Sequence, residues 1–169
     1  YQVGTLVSSR AVDIRTETSG KVVAILFDEG SAVEKEDLLV RLDDAKIKTE
    51  ILSLSARVDQ LKTRLKNREK SLERNRALLA QNLVSEERFD DMVTEIDEIK
   101  SQIIQTRANL ERMEENLADT YIRAPFDGIT GPRTISVGHY LRVGDKVVSL
   151  VDLNALEIEF KVPEKYKKS

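Results

Sequence analysis

Few residues in this chain combine the type and spacing that chemistry requires. His139 is the one histidine and there is no cysteine, so thiolate catalysis is excluded and a histidine-based metal site would lack partners. Acidic pairs occur at Asp43-Asp44, Glu86-Glu87 and Glu114-Glu115, but neighbouring carboxylates on a helix indicate a solvated face or a favourable first turn. Glycine-rich phosphate loops are absent. The sequence therefore predicts no enzyme, no catalytic or metal site and no cofactor, with His139 in a surface turn.

The composition narrows the class of protein further. Charged residues make up 34% of the 169 residues and aromatic residues only 5%, which suits a long solvated helical rod better than a thick globular core. A net charge of −3 gives no basic field for nucleic acid, and lysine-rich residues 165–168 are too few for a nucleic-acid or membrane patch. No apolar run approaches the ~20 residues that a bilayer-spanning helix needs.

A heptad pattern occupies the middle of the chain. Seam positions recur with alternating gaps of 4 and 3 residues, and neither glycine nor proline occurs between residues 43 and 124. We interpret the polar seam residues Arg68, Asn75 and Thr106 as specifying register. The two arms of the predicted seam are Ile47, Ile51, Leu54, Val58, Leu61, Leu65, Arg68, Leu72, Asn75 and Leu79, then Phe89, Met92, Ile96, Ile99, Ile103, Thr106, Leu110, Met113, Leu117 and Thr120.

The one interruption of this pattern is short. Residues 81–85 separate the two arms, and Ser85 followed by Glu86 and Glu87 is a good helix N-cap with acidic residues in the first turn. So short a connection requires the two helices to run antiparallel, as a helical hairpin.

A repeat flanks the hairpin on both sides. Gly20 and Gly30 are ten residues apart (30 − 20), as are Gly128 and Gly138 (138 − 128), with an offset of 108 (128 − 20) between the pairs. The same offset aligns Asp37 with Asp145 and the apolar residues on either side of them. Such self-similarity predicts that two half-modules, distant in sequence, form one β-rich module.

The predicted fold class is α+β, with the hairpin inserted into a split β-sandwich. Alternating polar and apolar residues at both termini indicate strands of a neighbouring β-barrel domain, and the abrupt start at Tyr1 predicts a processed or truncated chain. The predicted organisation is a barrel strand at 1–10, a first half-module at 11–42, the hairpin at 43–121 with its tip near 81–85, a second half-module at 122–154, and the start of the barrel domain at 155–169.

The two half-modules resemble a lipoyl/biotinyl-type β-sandwich. The motifs that carry this resemblance are Ser19-Gly20-Lys21-Val22 with Glu29-Gly30, and residues 122–128 (IRAPFDG) with Val137-Gly138 and Gly144-Asp145. With a hairpin between the halves, the chain resembles the periplasmic adaptors (membrane fusion proteins) of tripartite efflux pumps, in particular those of resistance-nodulation-division (RND) transporters. One departure is Glu36, where the family usually has the glycine found here at Gly144.

A second resemblance lies beside the hairpin connection. Adaptors that dock on TolC-like outer-membrane channels share an Arg, a Leu four residues later and a Ser seven residues beyond, matched here by Arg74, Leu78 and Ser85. The residues themselves support a contact surface: Arg74 and Leu78 lie off the seam on one helix face, so we expect Leu78 to be exposed together with Leu83 and Val84. Exposed apolar residues grouped at the end of a rod indicate a docking patch.

The resemblance implies a non-enzymatic periplasmic adaptor. It would link an inner-membrane RND transporter to a TolC-like channel for efflux of drugs or other small molecules, assemble into a hexamer-like ring, and be anchored to the inner membrane. Three alternatives remain open: an adaptor of an ABC or major-facilitator exporter or of type I secretion, a passive coiled-coil tether, and a lipoyl or biotinyl carrier. The carrier would use Lys46, which the pattern instead assigns to the start of a helix.

Overall fold

The computed structural model describes residues 5–8, 11–152 and 156–159. The predicted end of the last strand at Pro163 and the lysines of residues 165–168 lie outside the described residues. Two compact units are present, one helical, formed by residues 44–118, and one β-rich, formed by the segments on either side of it.

The helical unit is the predicted hairpin. Helix α1 (Ala45–Leu79) has 35 residues and α2 (Glu86–Ala118) has 33, so each is about 50 Å long at 1.5 Å per residue. Leu61 packs with Ile99 and Ile103, whereas Arg64 and Arg68 further along α1 reach back to Glu95, so the helices are antiparallel. The buried seam residues are Val58, Leu61, Ile96, Ile99 and Ile103, and every other apolar seam residue on the two helices is half-buried. The heptad prediction is confirmed for the apolar seam residues of both helices.

The end of the second helix differs from the prediction. Thr120 and Tyr121 were assigned to the hairpin, but α2 ends at Ala118 and Tyr121 opens a strand. Thr120 is buried in the β-rich unit, where its carbonyl accepts a hydrogen bond from the Leu42 N–H (2.9 Å). Thr120 lies in the turn before the strand, and its burial three positions after a seam residue continues the heptad pattern by coincidence, because burial alone does not identify a helix.

The β-rich unit contains eight short strands in two four-stranded antiparallel sheets, with a separate two-stranded sheet. The sheet orders are β2-β9-β7-β4 and β6-β5-β3-β8, so each sheet combines two strands from before the hairpin with two from after it. The strands are β2 (Ala11–Arg15), β3 (Gly20–Ile25), β4 (Ala32–Val33), β5 (Leu38–Leu42), β6 (Tyr121–Arg123), β7 (Gly128–Thr130), β8 (Tyr140–Leu141) and β9 (Lys146–Val151); β1 (Thr5–Ser8) pairs with β10 (Leu156–Glu159) in the third sheet.

The repeat seen in the sequence is a repeat of structure. Shifting β2, β3, β4 and β5 by 108 residues maps them onto β6, β7, β8 and β9, and the same shift exchanges one four-stranded sheet for the other. Hydrogen bonds repeat as well: the Gly30 N–H donates to the Thr130 carbonyl (2.9 Å), and the Gly138 N–H donates to the Val22 carbonyl (2.8 Å). Neither half could complete its sheets alone, which confirms that the two flanks form one module.

The core of this module lies between its two sheets. One face of each sheet points inward, and seven aliphatic side chains larger than alanine are fully inaccessible to solvent. These are Val22, Leu39, Val40, Leu42, Val147, Val148 and Leu150, to which Ile14, Phe27, Ile122, Ala124, Ile135 and Leu141 add buried surface. Within the described residues, no helix carries an apolar stretch of the length and hydropathy that crossing a membrane requires.

Candidate docking surface

The connection between the helices has a defined backbone conformation. Asn82 has a φ of 57°, its N–H donates to the Leu79 carbonyl (2.9 Å), and the Leu83 N–H donates to the Leu78 carbonyl (3.0 Å). This pair of bonds is the Schellman motif, in which a left-handed residue ends a helix and satisfies its last carbonyls. Asparagine tolerates this conformation better than most residues other than glycine. Asn82 was not among the residues predicted to be important, although an asparagine within one turn after the last seam residue is a known helix-stop signal.

The start of α2 confirms the predicted cap. The Ser85 Oγ accepts a hydrogen bond from the Arg88 N–H (3.4 Å), and the Ser85 carbonyl accepts one from the Phe89 N–H (3.2 Å). Val84 and Phe89 occupy the positions before and four after the cap, whose side chains commonly form a hydrophobic staple, and both are half-buried. The connection is therefore held at both ends.

Apolar side chains are exposed around this connection. Leu78 is 38% exposed and Leu83 is 68% exposed, as predicted. Val84, also predicted to be exposed, is half-buried, and its staple position explains the difference. Residues 82–86 and Leu79 line a shallow concavity of about 510 Å³, with Leu79, Leu83 and Val84 as its apolar part. Such a hollow can accept an apolar side chain of a partner while polar groups at its rim form hydrogen bonds.

Arg74 lies apart from this concavity. It is exposed and lines a groove along α1 together with Arg64, Arg68 and Ser71. Leu83, Val84 and Ser85 thus lie around one concavity. Leu78 is connected to them by the hydrogen bond that its carbonyl accepts from the Leu83 N–H. Arg74 instead lines the basic groove along α1. We call Arg74, Leu78, Leu83, Val84 and Ser85 the tip surface.

A cross-helix ion cluster holds the hairpin beside this groove. Glu95 Oε1 lies 3.1 Å from Arg64 Nη2 and 3.0 Å from Arg68 Nε. Arg68 was predicted to occupy the seam, yet it is exposed, and its guanidinium contacts the half-buried Glu95 of the other helix. Arg64 and Glu95 each precede a seam position by one residue, and such positions face each other in an antiparallel pair. The heptad pattern could therefore have identified this pair.

The other polar seam residues bond within their own helices. Asn75 Nδ2 donates to the Ser71 carbonyl (2.8 Å), and Thr106 Oγ1 donates to the Gln102 carbonyl (2.7 Å). These bonds to the preceding turn satisfy the polar groups without a partner across the seam. Their role in register stays a prediction.

Lys46 and His139, which were rejected as chemical sites, are both exposed. Lys46 lies in the first turn of α1, and His139 lies in a turn where its N–H donates to the Ser136 carbonyl (3.0 Å). Among the described residues, no three His, Cys, Asp or Glu side chains are grouped so that they could share a metal ion.

Comparison with known proteins identifies the family. Residues 10–153 match the family described as RND MFP, barrel-sandwich hybrid domain, where MFP denotes membrane fusion protein. The chain belongs to the RND membrane fusion protein family of periplasmic adaptors. This match covers both half-modules, whose strands pair with each other, and the hairpin that lies between them in the sequence.

Individual relatives agree with this family assignment. The chain is 27% identical to the multidrug resistance protein MdtA of Escherichia coli over 164 residues, which cover 96% of this chain and 40% of MdtA. It therefore spans less than half the length of the curated relatives it matches. The crystal structure of MacA from Actinobacillus actinomycetemcomitans superposes with a TM-score of 0.81 at 22% identity, covering 97% of this chain and 56% of MacA.

A third similarity concerns the hairpin. A chimera of MacA and MexA that contains the Pseudomonas aeruginosa MexA α-hairpin domain superposes with a TM-score of 0.66 at 24% identity, covering 96% of this chain and 55% of the chimera. At these identities the two structures establish the shared fold of the adaptor.

Proposed function

We propose that this adaptor couples an inner-membrane RND transporter to a TolC-like outer-membrane channel for the efflux of drugs or other small molecules. It acts in the periplasm as part of a protein anchored to the inner membrane, and copies of it associate into a hexamer-like ring. It performs no chemistry itself. The family match and the similarity to MdtA, whose name refers to multidrug resistance, support this proposal.

One observation carries the docking part of the proposal. The connection between the helices exposes Leu78 and Leu83 on a backbone held by the Schellman motif and the Ser85 cap. Exposing large apolar side chains at a rigid turn has no stabilising role within the hairpin, whereas a protein partner would bury them. A preformed surface also loses little conformational entropy when it binds.

The charges near the tip surface define its orientation on the channel. Arg74 extends the surface along α1 into the basic groove, so the partner should place acidic or carbonyl oxygens there. The apolar hollow would take a side chain from a loop of the channel, and the arginines would steer and orient the approach.

Substitution of the tip surface tests this proposal in the complete protein. We expect Leu78→Asp, Leu83→Asp or Arg74→Asp to abolish efflux-dependent drug resistance and cross-linking to the channel, while helix content and melting remain unchanged. The matched control is Leu52→Asp, because Leu52 is a 71% exposed leucine on α1 outside the tip surface. Full resistance in all three tip variants would contradict docking and would favour a passive tether, in which tip residues are interchangeable.

Two further measurements separate the remaining functions. Co-purification of the complete protein with its transporter distinguishes an RND partner from an ABC or major-facilitator exporter. Mass spectrometry of the native protein tests the carrier function, because a lipoyl or biotinyl group on Lys46 would add its mass to that lysine.

A further inference from the structure

The two exposed leucines of the tip surface occupy defined positions of the Schellman motif. The motif is closed by a hydrogen bond from the second residue beyond the helix cap to a carbonyl in the last turn, here from the Leu83 N–H to the Leu78 carbonyl (3.0 Å). Apolar side chains at these two positions commonly approach each other when the motif forms. Leu78 and Leu83 remain 38% and 68% exposed, so both are accessible to a partner.

The motif depends on the backbone of Asn82. Its φ of 57° turns the chain away from the path of α1, and its N–H donates to the Leu79 carbonyl (2.9 Å), which is the second bond of the motif. Both bonds are made by backbone groups, and the Asn82 side chain is exposed. Asn82 therefore shapes the connection through its main chain.

A right-handed residue at position 82 would separate the two leucines. Helix α1 would then continue, and the Leu83 N–H would bond to the carbonyl four residues earlier, that of Leu79, instead of that of Leu78. Five residues of α-helix turn through about 500°, which would place Leu83 about 140° round the helix from Leu78. Because only residues 80–85 connect the two helices, extension of α1 would also shorten the connection.

The change of direction is confined to one residue. Ala80, at the end of α1, still has a helical φ of −60°, and Asn82 is the one residue between 80 and 85 with a positive φ. Asn82 also lines the concavity of about 510 Å³ together with Leu83 and Val84, which directly follow it. The conformation of Asn82 thus decides where the apolar part of this concavity lies.

We propose that Asn82 is a positioning residue of the docking surface. Its left-handed backbone brings Leu78 and Leu83 together as one apolar patch, which a partner contacts as a unit. A patch that is fixed before binding loses little conformational entropy in the complex. Asparagine suits this position because it adopts the left-handed conformation more readily than most residues that carry a side chain. This inference rests on the proposed docking on a channel and assigns a residue that acts through its neighbours.

Replacement of Asn82 by alanine and by glycine tests this role. Both variants remove the carboxamide and differ from each other by one methyl group, but only glycine adopts the left-handed conformation without cost. The complete protein is titrated against the purified TolC-like channel that supports efflux in the same host. We expect Asn82→Ala to raise the dissociation constant about fivefold. Asn82→Gly should bind within about twofold of the unchanged protein.

Two control variants distinguish positioning from a general loss of stability. Ile103→Val trims a buried side chain of the hairpin core and should lower the melting temperature to a similar extent as Asn82→Ala, with no change in the dissociation constant. Ala80→Gly, added to the Asn82→Ala protein, should not restore binding, because Ala80 already has a helical φ. Restored binding at glycine is therefore expected at position 82 alone.

Three results would overturn the inference. Weak binding of Asn82→Gly would show that the partner contacts the carboxamide, and unchanged binding of Asn82→Ala would show that the left-handed conformation is not required. Equal weakening by Ile103→Val and Asn82→Ala would attribute the effect to stability.

These outcomes are separable from failure of docking itself. Loss of binding in Leu78→Asp together with unchanged binding of Asn82→Ala would retain docking and discard the role of Asn82. Unchanged binding of both Leu78→Asp and Leu83→Asp would discard docking through the tip surface, and the role of Asn82 with it.

Discussion

Glu36 and Gly144 occupy the same place in the two half-modules and share one backbone conformation. Their φ angles are 70° and 88°, and each carbonyl accepts a 2.8 Å hydrogen bond from an arginine, Arg123 for Glu36 and Arg15 for Gly144. The arginines are themselves 108 residues apart (123 − 15). The departure from the family glycine at Glu36 has therefore not altered the turn: the surrounding hydrogen bonds impose the left-handed conformation on a residue that disfavours it.

Replacing Glu36 with glycine should stabilise the protein. The left-handed conformation costs an L-residue about 1–2 kcal/mol, and the greater freedom of glycine in the unfolded chain offsets part of this gain. We expect the free energy of unfolding to increase by about 1 kcal/mol in urea titrations.

The matched control is Gly144→Glu, which introduces the same side chain at the equivalent turn. A Cβ at Gly144 would meet no atom within 4 Å, so only the backbone conformation is tested. By the same reasoning this variant should lose about 1 kcal/mol. If Glu36→Gly, Gly144→Glu and the unchanged protein were equally stable, the left-handed conformation would carry no cost and the prediction would be wrong.

A second equivalent pair, Gly20 and Gly128, should respond unequally to alanine. A Cβ at Gly128 would lie 2.6 Å from the Val151 carbonyl oxygen, a backbone atom on the paired strand, so β7 and β9 would have to separate. At Gly20 the nearest atom is the Leu42 Cβ at 3.3 Å, which requires only a small adjustment. We expect Gly128→Ala to cost about 3 kcal/mol and Gly20→Ala about 1 kcal/mol. Thermal melting of the two variants measures this difference. A larger loss of stability in Gly20→Ala than in Gly128→Ala would contradict the prediction.

The hairpin should depend more on its apolar layer than on its ion cluster. Ile99 is 1% exposed and packs with Leu61 and Ile103, so Ile99→Ala should cost about 2–5 kcal/mol. Glu95→Gln removes two partly exposed ion pairs and should cost at most about 1 kcal/mol, with a smaller effect in high salt. Denaturation of both variants followed by far-ultraviolet circular dichroism measures the difference, and a greater loss from Glu95→Gln would reverse this ranking.

Asp13 should titrate below the usual range of an aspartate. A hydrogen bond from Lys146 Nζ (2.7 Å) chiefly lowers the pKa of Asp13 from its ordinary 3.8, and the Ser149 hydroxyl (3.0 Å) contributes. Because the folded pKa is the lower one, this contribution to stability is complete above pH 3.8 and is lost as the pH falls through the folded pKa. We expect a carboxyl-carbon NMR titration to show a depressed pKa and Lys146→Met to raise it toward 3.8. An Asp13 pKa that is unchanged by Lys146→Met would exclude Lys146 as the cause.

Much of this architecture could be predicted because it depends on periodicity. The gaps of 4 and 3 residues identified the helices, and the repeated glycines identified the two halves, since both patterns follow from local backbone geometry. The exposure of Leu78 followed from its offset from the seam. By contrast, the end of the second helix was misplaced by two residues, because Thr120 continues the pattern while its hydrogen bond with Leu42 belongs to the sheet.

Spacing along the chain was sufficient to predict the helical hairpin and the split β-module, and the motifs within them carried the resemblance to the family. Which surfaces those elements present depends instead on how they pack together in three dimensions. Asn82 adopts its left-handed conformation through backbone bonds at the helix end, Val84 is half-buried at its staple position, and β3 pairs with β8 across more than 100 residues. Such contacts join residues with no local relationship, so pairing across the fold, and not spacing along the chain, positions them.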